Sequence, residues 1–220
     1  TAIAALPIAP AGPYLVLGGT TIDDDGNGGS QGNGDGTLNP GETIELLVNM
    51  RNVGTQTATN VHGVLASADP NVTILTANAD WPNIPVGGNA DNLTAFRFQV
   101  SGSASDGANI QFSLTVTDNS GQRQIPLQFP VAAPRLVYYW HQLDDAIYGN
   151  GSGAIDPGEV VRLGVTLSNL GGQAAADVTA TLTSSNPHVV IVSAQGQCPL
   201  IPVGGQSVLS RIIGLVQDAQ

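Results

Sequence analysis

The chain has 220 residues, of which 10% are charged, and its 17 acidic side chains against six basic ones give a formal net charge of −11 at pH 7. That balance argues against nucleic acid or an anionic membrane surface as partner and favours divalent cations. The single cysteine, Cys198, rules out an intrachain disulfide, and no apolar stretch approaches the ~20 residues of a membrane-spanning helix.

Residues 1–13, TAIAALPIAPAGP, are uncharged and apolar, with prolines at 7, 10 and 13. They are too few for a domain and too hydrophobic for a solvated tail. A first strand is expected at YLVLGG from Tyr14, followed by a polar loop of Asp, Gly, Asn and Ser that ends at Glu42. Alternating apolar residues then predict strands around Ile44 to Met50, Val61 to Leu65, 71–76, Phe96 to Val100, Ile110 to Val116 and Ile125 to Val131. Seven such strands between Gly, Asn and Asp turns, with no helical period, make an immunoglobulin-like β-sandwich the expected fold. Pro130 and Pro134 bracket a short, stiff linker.

The chain then repeats itself. NGDGTLNPGE at 33–42 returns as NGSGAIDPGE at 150–159, and IPVGG at 84–88 returns at 201–205, the same separation in sequence. Matches at turn residues and at core-facing positions together mark a repeated structural unit. The expected domains are a segment 1–13, a first sandwich 14–133 and a second sandwich 134–220. Gln220 falls near Ala104 of the first repeat, so the second sandwich should lack counterparts of the strands at 109–118 and 122–131.

The N-terminal segment resembles the strand missing from that sandwich. ALPIAPAGPYLVL at 5–17 follows PLQFPVAAPRLVY at 126–138 in its spacing, with Leu6 and Ile8 in the places of Leu127 and Phe129. Residues 1–12 therefore read as a donor strand, with Ile3, Leu6 and Ile8 as its apolar side chains; Ile3 has the opposite parity, which requires a bulge near Ala4 or an outward-facing Ile3. Inserted into the second sandwich of the next copy, such a segment would build a head-to-tail helical homopolymer. The alternatives are a piece of a longer covalent array and an inert tail.

The loop 31–42 has the spacing of a twelve-residue calcium loop, with Asn33, Asp35, Asn39 and Glu42 at positions 3, 5, 9 and 12. Asn150, Asp156 and Glu159 take the same register in the second repeat. Position 1 is Gln31 or Tyr148, so the remaining carboxylate would come from Asp23, Asp24 or Asp25, and from Asp144 or Asp145. Asp23, Asp25 and Asp144 join the candidate ligands on that ground, with Ca2+ as the expected ion. A metal-free turn cluster is the alternative. Asn71, Asn92 and Asn150 head N-x-S/T sequons and are candidate glycosylation sites. Tyr138, Tyr139 and Trp140 offer a sugar platform, although Tyr138 and Trp140 should share one strand face and suit core or interface contacts better. His62, His141 and His188 have no nucleophile motif near them, and no enzyme activity is expected.

At NGDGTLNPGE followed by IELLVNMRNVGTQTATNV, the chain resembles immunoglobulin-like repeats of bacterial and archaeal surface proteins and of the non-catalytic tails of secreted proteases. With the donor-like N-terminus, it looks like a pilus-like filament subunit. The resemblance implies an extracellular, structural, non-enzymatic role with copies of itself as partners. Adhesion to glycans, or service as an accessory module of a larger secreted protein or hydrolase, is the alternative.

Overall fold

The computed structural model describes residues 11–209 and 212–216. The chain divides between Ala132 and Ala133 into two compact units. In unit 1 the strands are β1 (Leu15–Asp23), β2 (Thr43–Asn52), β3 (His62–Ala66), β4 (Val72–Thr76), β5 (Asn78–Asp80), β6 (Asn89–Asp91), β7 (Phe96–Val100), β8 (Asn109–Asp118) and β9 (Gly121–Pro130). They form two antiparallel sheets, β1-β2-β7-β4 with β6 beside β2, and β5-β3-β8-β9. The first is the A-B-E-D order of a constant-type immunoglobulin domain, and β3, β8 and β9 are its C, F and G strands.

Alternation builds the core. Ile44, Leu46, Val48 and Met50 on β2 and Ile110, Phe112, Leu114 and Val116 on β8 turn one face inward; Phe98 meets Phe112 across the two sheets at 4.7 Å, and Phe112 meets Phe129 of the next strand at 5.9 Å. The short strands β5 and β6 escape the sequence pattern, because Asn-Ala-Asp has neither length nor apolar alternation. β1 also runs past the expected strand, from Thr20 to Asp23, with a bulge between Leu17 and Gly19.

Unit 2 contains β10 (Leu136–Asp144), β11 (Val160–Asn169), β12 (Ala175–Thr181), β13 (Val189–Ser193), β14 (Gln195–Ile201), β15 (Gln206–Val208) and β16 (Ile212–Val216). The sheet β10-β11-β16-β13, with β15 beside β11, repeats the first sheet of unit 1. The second sheet holds β12 and β14 alone, in the register of β3 and β5. Among the described residues, β12 is the counterpart of β3, and the sheet shows no counterparts of β8 and β9. Asn60 and Asp177, equivalent positions, both take the left-handed φ (53° and 49°) that Asn and Asp tolerate better than most side chains.

One substitution pair shows how the two cores differ. A Cβ on Gly63 would lie 2.6 Å from the Trp81 ring, so glycine makes room for the indole, whose Nε1–H donates to Val48 O at 2.9 Å. In unit 2 the indole is replaced by Cys198, buried and free, and the equivalent of Gly63 is Ala180, which can keep its Cβ beside the smaller side chain.

Candidate functional site

The acidic loop of unit 1 closes on itself through side chain to backbone hydrogen bonds. Glu42 Oε1 accepts the Asn33 N–H at 3.2 Å and Oε2 accepts the Asn39 N–H at 2.9 Å. Asn33 Nδ2 donates to Asp35 Oδ2 (3.1 Å) and Asn39 Oδ1 (2.9 Å), while Asn33 Oδ1 accepts the Asp35 N–H. Gly36, at φ +74°, turns the chain so that its N–H reaches Asp24 Oδ1 at 3.1 Å. Burial pushes the Glu42 carboxyl above its usual range; the hydrogen bonds from Asn39 and Asn33 oppose the rise, and the charges of Asp24 and Asp35 add to it.

Of the three consecutive aspartates, the structure brings the middle one into this cluster. Asp24 is buried, whereas Asp23 and Asp25 face a separate turn over 25–30: Asp23 Oδ1 accepts from Asp25 N and Ser30 Oγ, and Asp25 accepts the backbone and side-chain N–H of Asn27. Those Asn27 bonds hold the exposed Asp25 carboxyl below its usual range. Unit 2 makes the same choice. Asp145 is buried and accepts the Gly153 N–H at 3.1 Å, Glu159 accepts the N–H groups of Asn150 (2.8 Å) and Asp156 (3.4 Å), and Asn150 Nδ2 donates to Asp156 Oδ2 at 2.9 Å. Asp144 caps the next turn through the Ala146 N–H. Strand alternation decides this: Asp23 and Asp144 are the last residues of β1 and β10, and the next residue in each case turns inward.

Of the sequon asparagines, Asn92 is buried with its amide donating to Leu46 O and Thr94 O and its Oδ1 accepting Val48 N–H, so the folded unit does not present it to a glycosyltransferase. Asn71 is half-buried on Asp69, and the exposed Asn150 belongs to the acidic loop.

A second repeated device holds the segment leading into each unit. Asn52 is fully buried with all four side-chain bonds made: Oδ1 accepts the N–H groups of Tyr14 (3.2 Å) and Gly54 (3.0 Å), and Nδ2 donates to Gln56 O (2.8 Å) and Ile84 O (3.0 Å). Asn169 makes the corresponding four bonds, to Arg135, Gly171, Gln173 and Ile201. A Cβ on Gly54 would strike the backbone of Gly12 and Tyr14, and one on Gly171 that of Ala133 and Arg135. The N-x-G motif is thus a clamp that grips residues 12–14 against unit 1 and 133–135 against unit 2.

The third feature is an uncovered core face. Leu46, Val48 and Met50 are 0% exposed; their counterparts Leu163, Val165 and Leu167 are only partly buried. Leu38 is 0% exposed beneath Val131, which it pairs as an isolated parallel bridge, and its counterpart Ile155 is 57% exposed. Leu143, Ile155, Leu163, Leu182 and Ile191 line an open apolar cavity on that face. The side chains that close unit 1 here come from β8 and β9 and from Val131.

Tyr138 and Trp140 do not share a face. A bulge at Tyr139, the counterpart of the one at Gly18, sets Tyr138 opposite Leu167 and Trp140 opposite Thr166, and all three aromatics are exposed. Trp140, Gln142 and Asp144 then line one side of a groove whose other side is Arg162, Gly164 and Thr166.

These features define a two-unit immunoglobulin-like β-sandwich protein. No protein-family model matches the sequence, and no curated protein does. Among solved structures the chain is similar to a protein of unknown function from Porphyromonas gingivalis W83 (13% identity, 92% of this chain and 83% of that one, TM-score 0.29). It is also similar to the C-terminal domain of the AgI/II polypeptide BspA from Streptococcus agalactiae (10% identity, 91% of each chain, TM-score 0.33) and to the titin I-band fragment I67-I69 (10% identity, 94% of this chain and 56% of that one, TM-score 0.32). At TM-scores this low, the fold stands on the strand pairing and core described above. No described helix is long and apolar enough to cross a membrane.

Proposed function

We propose that the chain is a structural, non-enzymatic subunit of an extracellular filament, polymerising head to tail as residues 1–12 of one copy add a strand to unit 2 of the next. The observation that carries this reading is the half-buried row Leu163, Val165 and Leu167 beside the edge of β12 that pairs no strand among the described residues, at positions that are sealed in unit 1. Exposed apolar core and an unpaired strand edge are costly in water, and a strand that brings alternating apolar side chains relieves both. The clamp supports the choice of donor. Residues 12–14 are gripped by Asn52 as residues 133–135 are by Asn169, and shortly before 133 in the chain comes β9, the closing strand of unit 1. By the repeat, residues 1–11 stand where a closing strand belongs. Ile3, Leu6 and Ile8 lie outside the described residues, so their burial rests on the sequence match. One donated strand covers part of the apolar row, and the body of the neighbouring copy covers the rest.

Negative-stain electron microscopy of the purified chain tests this. Filaments are expected from the full chain and none from a chain lacking residues 1–11, which keeps Gly12 in its clamp. Filaments of unchanged length from the shortened chain would defeat the proposal.

A second reading, glycan binding by unit 2, is favoured by the groove beside Trp140. Gly164 replaces Leu47 of unit 1 and Trp140 replaces Gly19, so a groove with an aromatic wall and the polar Gln142, Asp144 and Arg162 exists in unit 2 alone of the two equivalent faces. If the groove holds a sugar, Trp140→Ala should weaken binding to a glycan array about tenfold, which is about 1.4 kcal/mol. Unchanged binding would remove this groove from consideration.

A further inference from the structure

Asp24 is 2% exposed, and while its Oδ1 accepts the Gly36 N–H, its buried Oδ2 has no hydrogen-bond partner. A turn cluster held by hydrogen bonds alone does not account for that oxygen, because a buried polar atom is almost always satisfied and a buried charge is paired or bound to a metal. Its surroundings are acidic. Gly32 lies between Asp24 and Glu42: a Cβ there would stand 2.6 Å from Asp24 O, 2.8 Å from Glu42 Oε1 and 2.9 Å from Asp24 Cβ. Gly32 does not have a positive φ, so space, not backbone conformation, requires glycine. Gly149 fills the same gap in unit 2, between Asp145 O at 2.8 Å and Glu159 Oε1 at 3.0 Å.

We infer that each acidic loop binds one divalent cation of the calcium class, held by the buried aspartate that follows the first strand of its unit and by the glutamate that ends the loop, Asp24 with Glu42 and Asp145 with Glu159. The two repeats keep the same charge while changing which residue carries it. Asp35 and Asn39 in the first loop become Ser152 and Asp156 in the second, so three carboxylates remain in each: Asp24, Asp35 and Glu42, then Asp145, Asp156 and Glu159. Hydrogen bonding alone sets no such condition, since Asn and Ser accept as well as Asp; neutralising a divalent ion does. In both loops a side-chain amide, Asn33 Nδ2 or Asn150 Nδ2, donates to the oxygens an ion would bridge.

The donors are hard oxygens from carboxylates, amides and backbone. That set suits calcium, which takes six to eight oxygens in flexible geometry, better than magnesium, which demands a near-ideal octahedron, or zinc, which prefers nitrogen and sulfur. No group of three or more acidic, His or Cys side chains is gathered as a finished cage among the described residues. The loop therefore closes on the ion as it binds, with the Asn33 and Asn150 amides giving way.

The test uses the full chain stripped with EDTA and dialysed against about 1 mM Ca2+, the range of extracellular modules, with bound calcium counted by mass spectrometry. Two ions per chain are expected in the wild type, one in Asp24→Asn, one in Asp145→Asn and none in the double variant. Added Ca2+ should raise the melting temperature of the wild type, with a smaller rise in each single variant and none in the double variant. Asn keeps the size of Asp; should either variant fail to fold, Glu42→Gln or Glu159→Gln gives the same reading. A stripped wild type that binds no calcium, or two ions retained by every variant, overturns the inference. Assembly plays no part in this measurement, so its result and that of the filament experiment are independent.

Discussion

Replacing Leu6 and Ile8 together by aspartate should abolish filament growth while leaving unit 1 folded. Each apolar side chain contributes roughly 1.5 to 3 kcal/mol when it leaves water. Ladder hydrogen bonds add about 0.5 to 1.5 kcal/mol apiece. Against these stand the lost rigid-body freedom of association and the ordering of the segment, at about 1 kcal/mol or more per residue. Pro7 and Pro10 lower that cost by restricting the free chain, though neither can donate to the ladder. The terms nearly cancel, so the assembly has little surplus. Two carboxylates would remove the apolar gain and add the cost of placing charge against Leu163, Val165 and Leu167. A synthetic peptide of residues 1–12 should accordingly cap the shortened chain only weakly. Electron microscopy and sedimentation read the outcome: filaments of normal length from the double variant would show that the N-terminus is merely a tail.

Asn52→Ala should be among the most damaging single substitutions in unit 1. The side chain is 0% exposed and serves four backbone groups, the N–H of Tyr14 and Gly54 and the carbonyls of Gln56 and Ile84. Each buried group left unsatisfied costs about 1 to 3 kcal/mol, partly offset where water enters the vacated space. A loss of at least about 3 kcal/mol is expected, a large share of the ~5 to 15 kcal/mol typical of a whole domain. Asn52→Asp should fare little better, since it keeps the acceptor but gives up both donors and buries a charge. Denaturant unfolding measures the effect, and a loss under about 1 kcal/mol would mean that the clamp adds little to stability. Its consequence for assembly is geometric: Asn52 holds Tyr14, and Thr55 N–H holds Gly12 O at 2.8 Å, which fixes where residues 1–11 leave unit 1.

Much of this architecture is written in local pattern. Period-2 alternation in IELLVNM and NIQFSLTV, with Gly, Asn and Pro between runs, specifies strands with one buried face, and two sheets are the compact way to bury them. The repeat located both acidic loops. Alternation fails where a bulge intervenes. Tyr139 inserts one residue, and Tyr138 and Trp140, two apart, pass to opposite faces. Spacing also could not choose among Asp23, Asp24 and Asp25, because that choice depends on where β1 ends and which neighbour then turns inward. The N-x-G motif stands in both repeats, at 52–54 and 169–171, but its work lies in backbone groups far away in sequence, in unit 1 at Tyr14 and Ile84. Sequence by itself determined the longer strands, their repetition and the residue types of the loops, since these follow from side-chain chemistry and short-range periodicity. Tertiary structure alone decided which aspartate is buried beside Glu42 and which apolar residues stand uncovered, because burial is a property of what folds back over a residue and not of the residue itself.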